Sequence, residues 1–172
     1  MPVVENEIEL QAPPWRVWTT LTKLESYDRW HPFIRSGGEP ALGAEVEYIF
    51  RNRAFRKPFT AAATIIRFDE PTAFGWRIGP SSLLSFEETF EILPSEQGSV
   101  LTHSMARNGL FARLPARFFD KRLHDMIVKA DEALERYLRG AANTPARPGN
   151  RRKRRIAQSR GRHSPSNRGS VG

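Results

Sequence analysis

Cysteine is absent, which removes disulfide frameworks, thiolate metal sites and thiol nucleophiles, and nothing points to an oxidising compartment. No run approaches the roughly 18 apolar residues a membrane span needs. The residues after Met1, PVVENE, lack the basic-then-apolar order of a secretory leader, so a cytoplasmic location is the expectation. The histidines His31, His103, His124 and His163 never stand at a short ligand spacing, and no metal is expected. A glycine-rich phosphate loop and a GxSxG elbow are missing too. Nucleotide binding and nucleophilic acyl transfer are therefore unsupported, and no cofactor is implied.

Acidic residues disappear after residue 140, where nine Lys and Arg stand without a single Asp or Glu. The formal charge of +8 belongs to that stretch, because residues 1–140 hold 18 basic against 19 acidic side chains. Residues 141–172 also lack aromatics and are rich in Gly, Pro and Ser. They cannot bury enough apolar area to offset an ordering entropy of about 1–2 kcal/mol per residue. The expectation is one domain over 1–140 followed by a disordered basic tail. Within it, Arg151, Arg152, Lys153, Arg154 and Arg155 could make non-specific, salt-dependent contact with nucleic acid or an anionic membrane; a solvated extension without a partner is the other reading.

What is present before the tail alternates cleanly. In VVENEIELQ, Val4, Asn6, Ile8 and Leu10 share one face and the glutamates the other, the pattern of a half-buried strand. Pro13 and Pro14 suit the first turn of a helix carrying Val17, Trp18, Leu21 and Leu24. A second helical turn through Ser26–Trp30 stops before Pro32. After Gly37-Gly38 the period becomes two for about 65 residues, with strands expected at Glu45–Arg51, Phe59–Phe68, Ala73–Ile78, Leu83–Leu93 and Ser99–Arg107 and breaks that include Pro94. Such short connections make an antiparallel meander. From Pro115 a helical stripe returns (Phe119, Leu123, Met126, Ile127, Ala130, Leu134, Tyr137, Leu138), with Asp131 assigned to the polar remainder and Gly140 as the stop.

Three stretches in this order carry a resemblance: IELQAPPWRVW at 8–18, YDRWHPF at 27–33, and GSVLTHSMARNGLF at 98–111. Over about residues 3–140 the chain resembles the START-like or SRPBCC superfamily, which includes birch pollen allergen-like and polyketide cyclase/dehydrase proteins. The resemblance implies an α+β helix-grip fold: a curved antiparallel sheet wrapped around a long C-terminal helix, with two short helices after strand 1. It also implies a cavity between sheet and helix for a small hydrophobic or amphipathic ligand of lipid, polyketide or aromatic type, with Trp30, His31 and Phe33 beside its mouth.

Candidate site residues follow from the inward faces. On Leu83–Leu93, the set Leu84, Phe86, Glu88, Phe90 and Ile92 points inward, which leaves Glu88 among apolar neighbours, where an unpaired carboxylate is costly. It is either an acid or anchor in the cavity, or an edge residue that a bulge lets reach water. His103 faces the cavity if Leu101 and Met105 do, and the alternation leaves both registers open. An inward His103 near Glu88 would form a catalytic proton-transfer pair of the cyclase/dehydrase kind; a packed histidine is the alternative. Phe74, Trp76, Phe86, Phe90, Met105, Phe119, Leu123 and Met126 complete the expected ligand wall.

Overall fold

The structure is a computed structural model, and it describes residues 3–52, 56–80, 82–113 and 117–142. Of the expected tail at 141–172, residues 141 and 142 end the last helix, and the rest, with its RRKRR cluster, lies outside the described residues. Strand β1 (Val3–Leu10) leads into helix α1 (Pro14–Thr22), a 3₁₀ turn (Leu24–Ser26) and the short helix α2 (Tyr27–Trp30). Strands β2 (Ile34–Gly37), β3 (Glu45–Phe50), β4 (Phe59–Asp69), β5 (Ala73–Ile78), β6 (Ser85–Ser95) and β7 (Gly98–Asn108) follow, and helix α3 (Arg117–Ala142) is the last element among the described residues. All seven strands form one antiparallel sheet in the order β1-β7-β6-β5-β4-β3-β2. The fold is the helix grip: an open curved sheet with a long C-terminal helix and short helices after strand 1. Among the described residues no helix is long and apolar enough to cross a membrane.

Local chemistry explains the joints. Pro14 opens α1, where its missing N–H needs no partner. A register shift between Ile65 and Arg67 bends β4. Gly109, after β7, has φ +99°, and a Cβ there would stand 2.5 Å from the Leu83 carbonyl oxygen, so only glycine fits this corner.

Three boundaries differ from expectation. The sheet starts earlier than Gly37-Gly38, because β2 adds a four-residue edge strand paired with β3, too short to show a period of its own. Pro94 does not break β6; it pairs opposite Ser99 beyond the last β5–β6 partner, Glu91, where no neighbour requires its N–H. Helix α3 runs through Gly140 to Ala142, since Gly140 does not adopt the positive φ of a C-terminal cap.

The core divides in two. The larger cluster lies beneath α1, α2 and the last turns of α3, where Leu134 and Leu138 pack with Leu10, Trp18 and Leu21. A smaller cluster of Met105, Leu123 and Ile127, flanked by Val4 and Phe86, holds the earlier part of α3 against β7 and β6. Burial of a leucine-sized side chain contributes about 1.5–3 kcal/mol, so three such residues hold this stretch more weakly than the main core holds the rest.

Candidate functional site

Between the two clusters lies a cavity of about 20 Å³, room for about one water molecule. Its walls come from the segment after α2 (His31, Phe33, Ile34), from β3 (Tyr48), from β6 and β7 (Glu88, His103, Met105), and from α3 (Leu123, Met126, Ile127, Ala130).

The polar wall is a buried array. Leu101, His103 and Met105 take the inward register, and both Glu88 and His103 are 1% exposed. Because β6 lies between β5 and β7, Glu88 is on an interior strand and its edge-strand alternative falls. Glu88 stands opposite Met105 and His103 opposite Phe90, which makes Glu88 and His103 diagonal neighbours on one face. His103 Nε2 lies 2.9 Å from Glu88 Oε1 and its Nδ1 lies 2.7 Å from Asp131 Oδ1 on α3. The outer carboxylate oxygens are also used: Trp76 Nε1–H donates to Glu88 Oε2 at 2.6 Å, and Asn6 Nδ2–H donates to Asp131 Oδ2 at 2.7 Å.

Every member therefore has a partner, as a buried charge requires. Burial would push the His103 pKa down, but hydrogen bonds and charges from Asp131 and Glu88 outweigh it and raise the value to about 9. Burial pushes the Glu88 carboxyl up, and the His103 bond and charge, the nearby His31 and the Trp76 N–H together bring it below its ordinary value. An imidazolium donating from both nitrogens between two carboxylates is the consistent state, with a formal charge of −1 for the three groups. The Phe90 ring packs 4.2 Å from the His103 ring, centroid to centroid, offering its π face to that cation.

His31 is built differently. Its Nδ1 accepts the backbone N–H of Phe33 at 3.2 Å and of Ile34 at 2.9 Å. Two donors on Nδ1 fix the neutral tautomer with the proton on Nε2. Burial, with Glu88 opposing and His103 adding, lowers its pKa to about 3. Its Nε2 is buried with no hydrogen-bond partner among the described residues. The ring stacks on Tyr27, centroids 5.6 Å apart.

Of the expected wall, His31, Phe33, Met105, Leu123 and Met126 border the cavity together with Glu88 and His103. Six residues do not. Trp30, Phe74, Trp76 and Phe90 belong to the solid main core, because alternation tells which face a ring occupies and not where along that face packing leaves a gap. Phe86 flanks the smaller cluster. Phe119 is 42% exposed, tilted on Phe86 and near the Arg107 guanidinium. Asp131, expected on the polar side of the last helix, is buried in the array. The signal was there: it falls four residues after Ile127 and three before Leu134, on the apolar stripe itself. Asn6, on the inward face of β1, stands opposite His103.

The chain matches, over residues 1–143, the model of a family described as polyketide cyclase / dehydrase and lipid transport. No curated protein matches it. Among solved structures it is similar to a START superfamily protein from Mycobacterium smegmatis, with 14% identity, coverage of 81% of this chain and 98% of that one, and a TM-score of 0.67. It is similar to Ara h 8.0201, with 16% identity, 81% and 98% coverage and a TM-score of 0.64. A third similar structure is the di-domain ARO/CYC StfQ from the steffimycin biosynthetic pathway, with 12% identity, a TM-score of 0.65, and coverage of 83% of this chain but 52% of that one. At such identities the likeness speaks for the fold, while the family model spans most of the sequence: the chain belongs to the polyketide cyclase/dehydrase and lipid-transport family.

Proposed function

We propose that this protein binds a small apolar or amphipathic molecule between the sheet and α3, seating the molecule's polar end against Glu88 and His31. The buried Glu88–His103–Asp131 array carries the reading. Replacing buried ion networks by apolar side chains is often neutral or stabilising, so an array of this kind beside a cavity is poorly explained by stability alone. It suits orientation of a ligand by a few polar groups in an otherwise apolar site. At about 20 Å³ the cavity admits no organic molecule as it stands. Entry therefore goes with displacement of the early turns of α3, whose cavity wall includes the adaptable side chain of Met126.

Native mass spectrometry of protein purified from its own host, combined with titration of an environment-sensitive apolar dye, tests this. A co-purifying molecule that the dye competes with is expected; protein that emerges bare and takes up no dye removes the reading.

The 2.9 Å contact of His103 with Glu88 supports a second reading, in which the site moves a proton. Both His103 nitrogens are occupied, so the acceptor would be Glu88, with His103 holding its charge in place. Exchange of the α-protons of 2-tetralone for deuterium, followed by NMR, checks it: catalysis lost in Glu88→Gln supports the reading, and no catalysis by the unmodified protein ends it.

A further inference from the structure

Glu88 and His31 both line the cavity, and these two offer opposite halves of a hydrogen-bonding pair. Glu88 is a carboxylate that already accepts one N–H on each oxygen and keeps lone pairs free on both. His31 has its proton on Nε2, because Nδ1 is occupied by the Phe33 and Ile34 amides, and that N–H is buried without an acceptor among the described residues. A buried donor left unpaired is costly, because it has given up its bond to water and gained none in return. The cavity admits about one oxygen-sized group. A hydroxyl group placed there has both halves of the match, an oxygen to accept from His31 and a proton to donate to Glu88.

We infer that the cavity selects an un-ionised hydroxyl group (a phenol, enol or alcohol) on its apolar ligand, with His31 Nε2–H donating to the hydroxyl oxygen and the O–H donating to Glu88. The inference rests on the ligand-binding reading above and adds a chemical class to it. An ether or carbonyl oxygen can accept from His31 but has no proton for Glu88. A carboxylate brings a negative charge to an array that already carries −1, against which the low dielectric of the interior works strongly. His31 is thus a specificity residue, distinct from the array.

Binding of 2-naphthol, 2-methoxynaphthalene and 2-naphthoate near neutral pH, measured by calorimetry on the full chain, tests this. The hydroxyl compound should bind about tenfold or more tightly than either of the others, the worth of a hydrogen bond to a charged group. His31→Asn keeps an acceptor where Nδ1 stood, so the Phe33 and Ile34 amides stay paired, and it removes the Nε2 donor. The naphthol preference should fall to about twofold or less in this variant. Equal binding of all three compounds, or tightest binding of the naphthoate, overturns the hydroxyl inference and leaves ligand binding standing; binding of none of them counts against both. Should His31→Asn fail to fold, the order of the three compounds on the unmodified protein decides alone.

Discussion

His103 Nδ1 and Asp131 Oδ1 lie 2.7 Å apart and join strand β7 to helix α3 through a buried, charge-assisted hydrogen bond. The bond crosses the interface between the sheet and the last helix. It lies one helical turn beyond Ile127, on the main-core side of the small Met105–Leu123–Ile127 cluster. The array therefore marks the fixed part of α3, and the turns before it are the part that can yield.

Asp131→Ala removes one counter-charge of an imidazolium that has no access to water, and breaking a buried pair by removing one partner costs about 3–5 kcal/mol. Urea unfolding should show a loss of that size, whereas Asn6→Ala, which deletes a bond to the other Asp131 oxygen, should lose about 1 kcal/mol. An Asp131→Ala protein as stable as the parent would mean that the array is not ionised as described.

The two buried histidines make stability depend on pH in opposite directions. His103, raised from 6.5 to about 9 in the folded state, contributes stability that is fully present below its unfolded pKa and lost as pH rises through 9. His31, lowered from 6.5 to about 3, contributes stability that is present above 6.5 and lost as pH falls toward 3, and the lowered Glu88 adds to the acid side. Unfolding free energy should therefore peak near pH 6.5. From these two groups it should fall by about 1.4 kcal/mol per pH unit on either side. His31→Asn should make the acid limb shallower, leaving the Glu88 part, and should not change the alkaline limb; a stability curve flat from the peak up to pH 9 would contradict the protonated His103.

Arg107 Nη2 on β7 meets Asp120 Oδ1 in an early turn of α3 at 2.7 Å, with the guanidinium 5.4 Å from the centre of the Phe119 ring. This pair ties the early part of α3 to β7, beside the smaller cluster. Asp120→Ala should speed amide hydrogen exchange over Leu123–Ile127 about fivefold, the effect of losing about 1 kcal/mol of local stability. Exchange at Leu134–Leu138 should not change. Uniform acceleration along α3 would show that the helix opens as one unit.

Much of this arrangement was legible in the chain, and its limits have physical causes. Alternation placed Glu88 on the inner face of its strand, and the burial pattern of β6 follows it. For β7 the same alternation allowed two registers, and pairing with β1 and β6 chose the one that buries His103. Asp131 was misread because a carboxylate at an apolar helical position looks like a break in the stripe, unless a buried cation is already known to wait opposite it. The size of the cavity could not be read at all, since the rings at Trp30, Phe74 and Trp76 carry the same pattern whether they close a core or line a void.

Leu123 offers the most direct test of where the molecule opens, because it borders the cavity and belongs to the smaller cluster. Leu123→Ala removes three carbon atoms from a mostly buried site and should cost about 2–3 kcal/mol, toward the lower end for such truncations because the neighbouring Met126 can partly fill the gap. The same change enlarges the space in front of Glu88 and His31 and lowers the cost of displacing α3. Affinity for 2-naphthol should therefore rise even as stability falls, an opposition that general loosening of the fold does not produce. The matching truncation Leu134→Ala, in the main core, should cost about 3–5 kcal/mol and leave affinity unchanged. Equal gains in affinity from the two variants would place the entrance somewhere other than the early turns of α3.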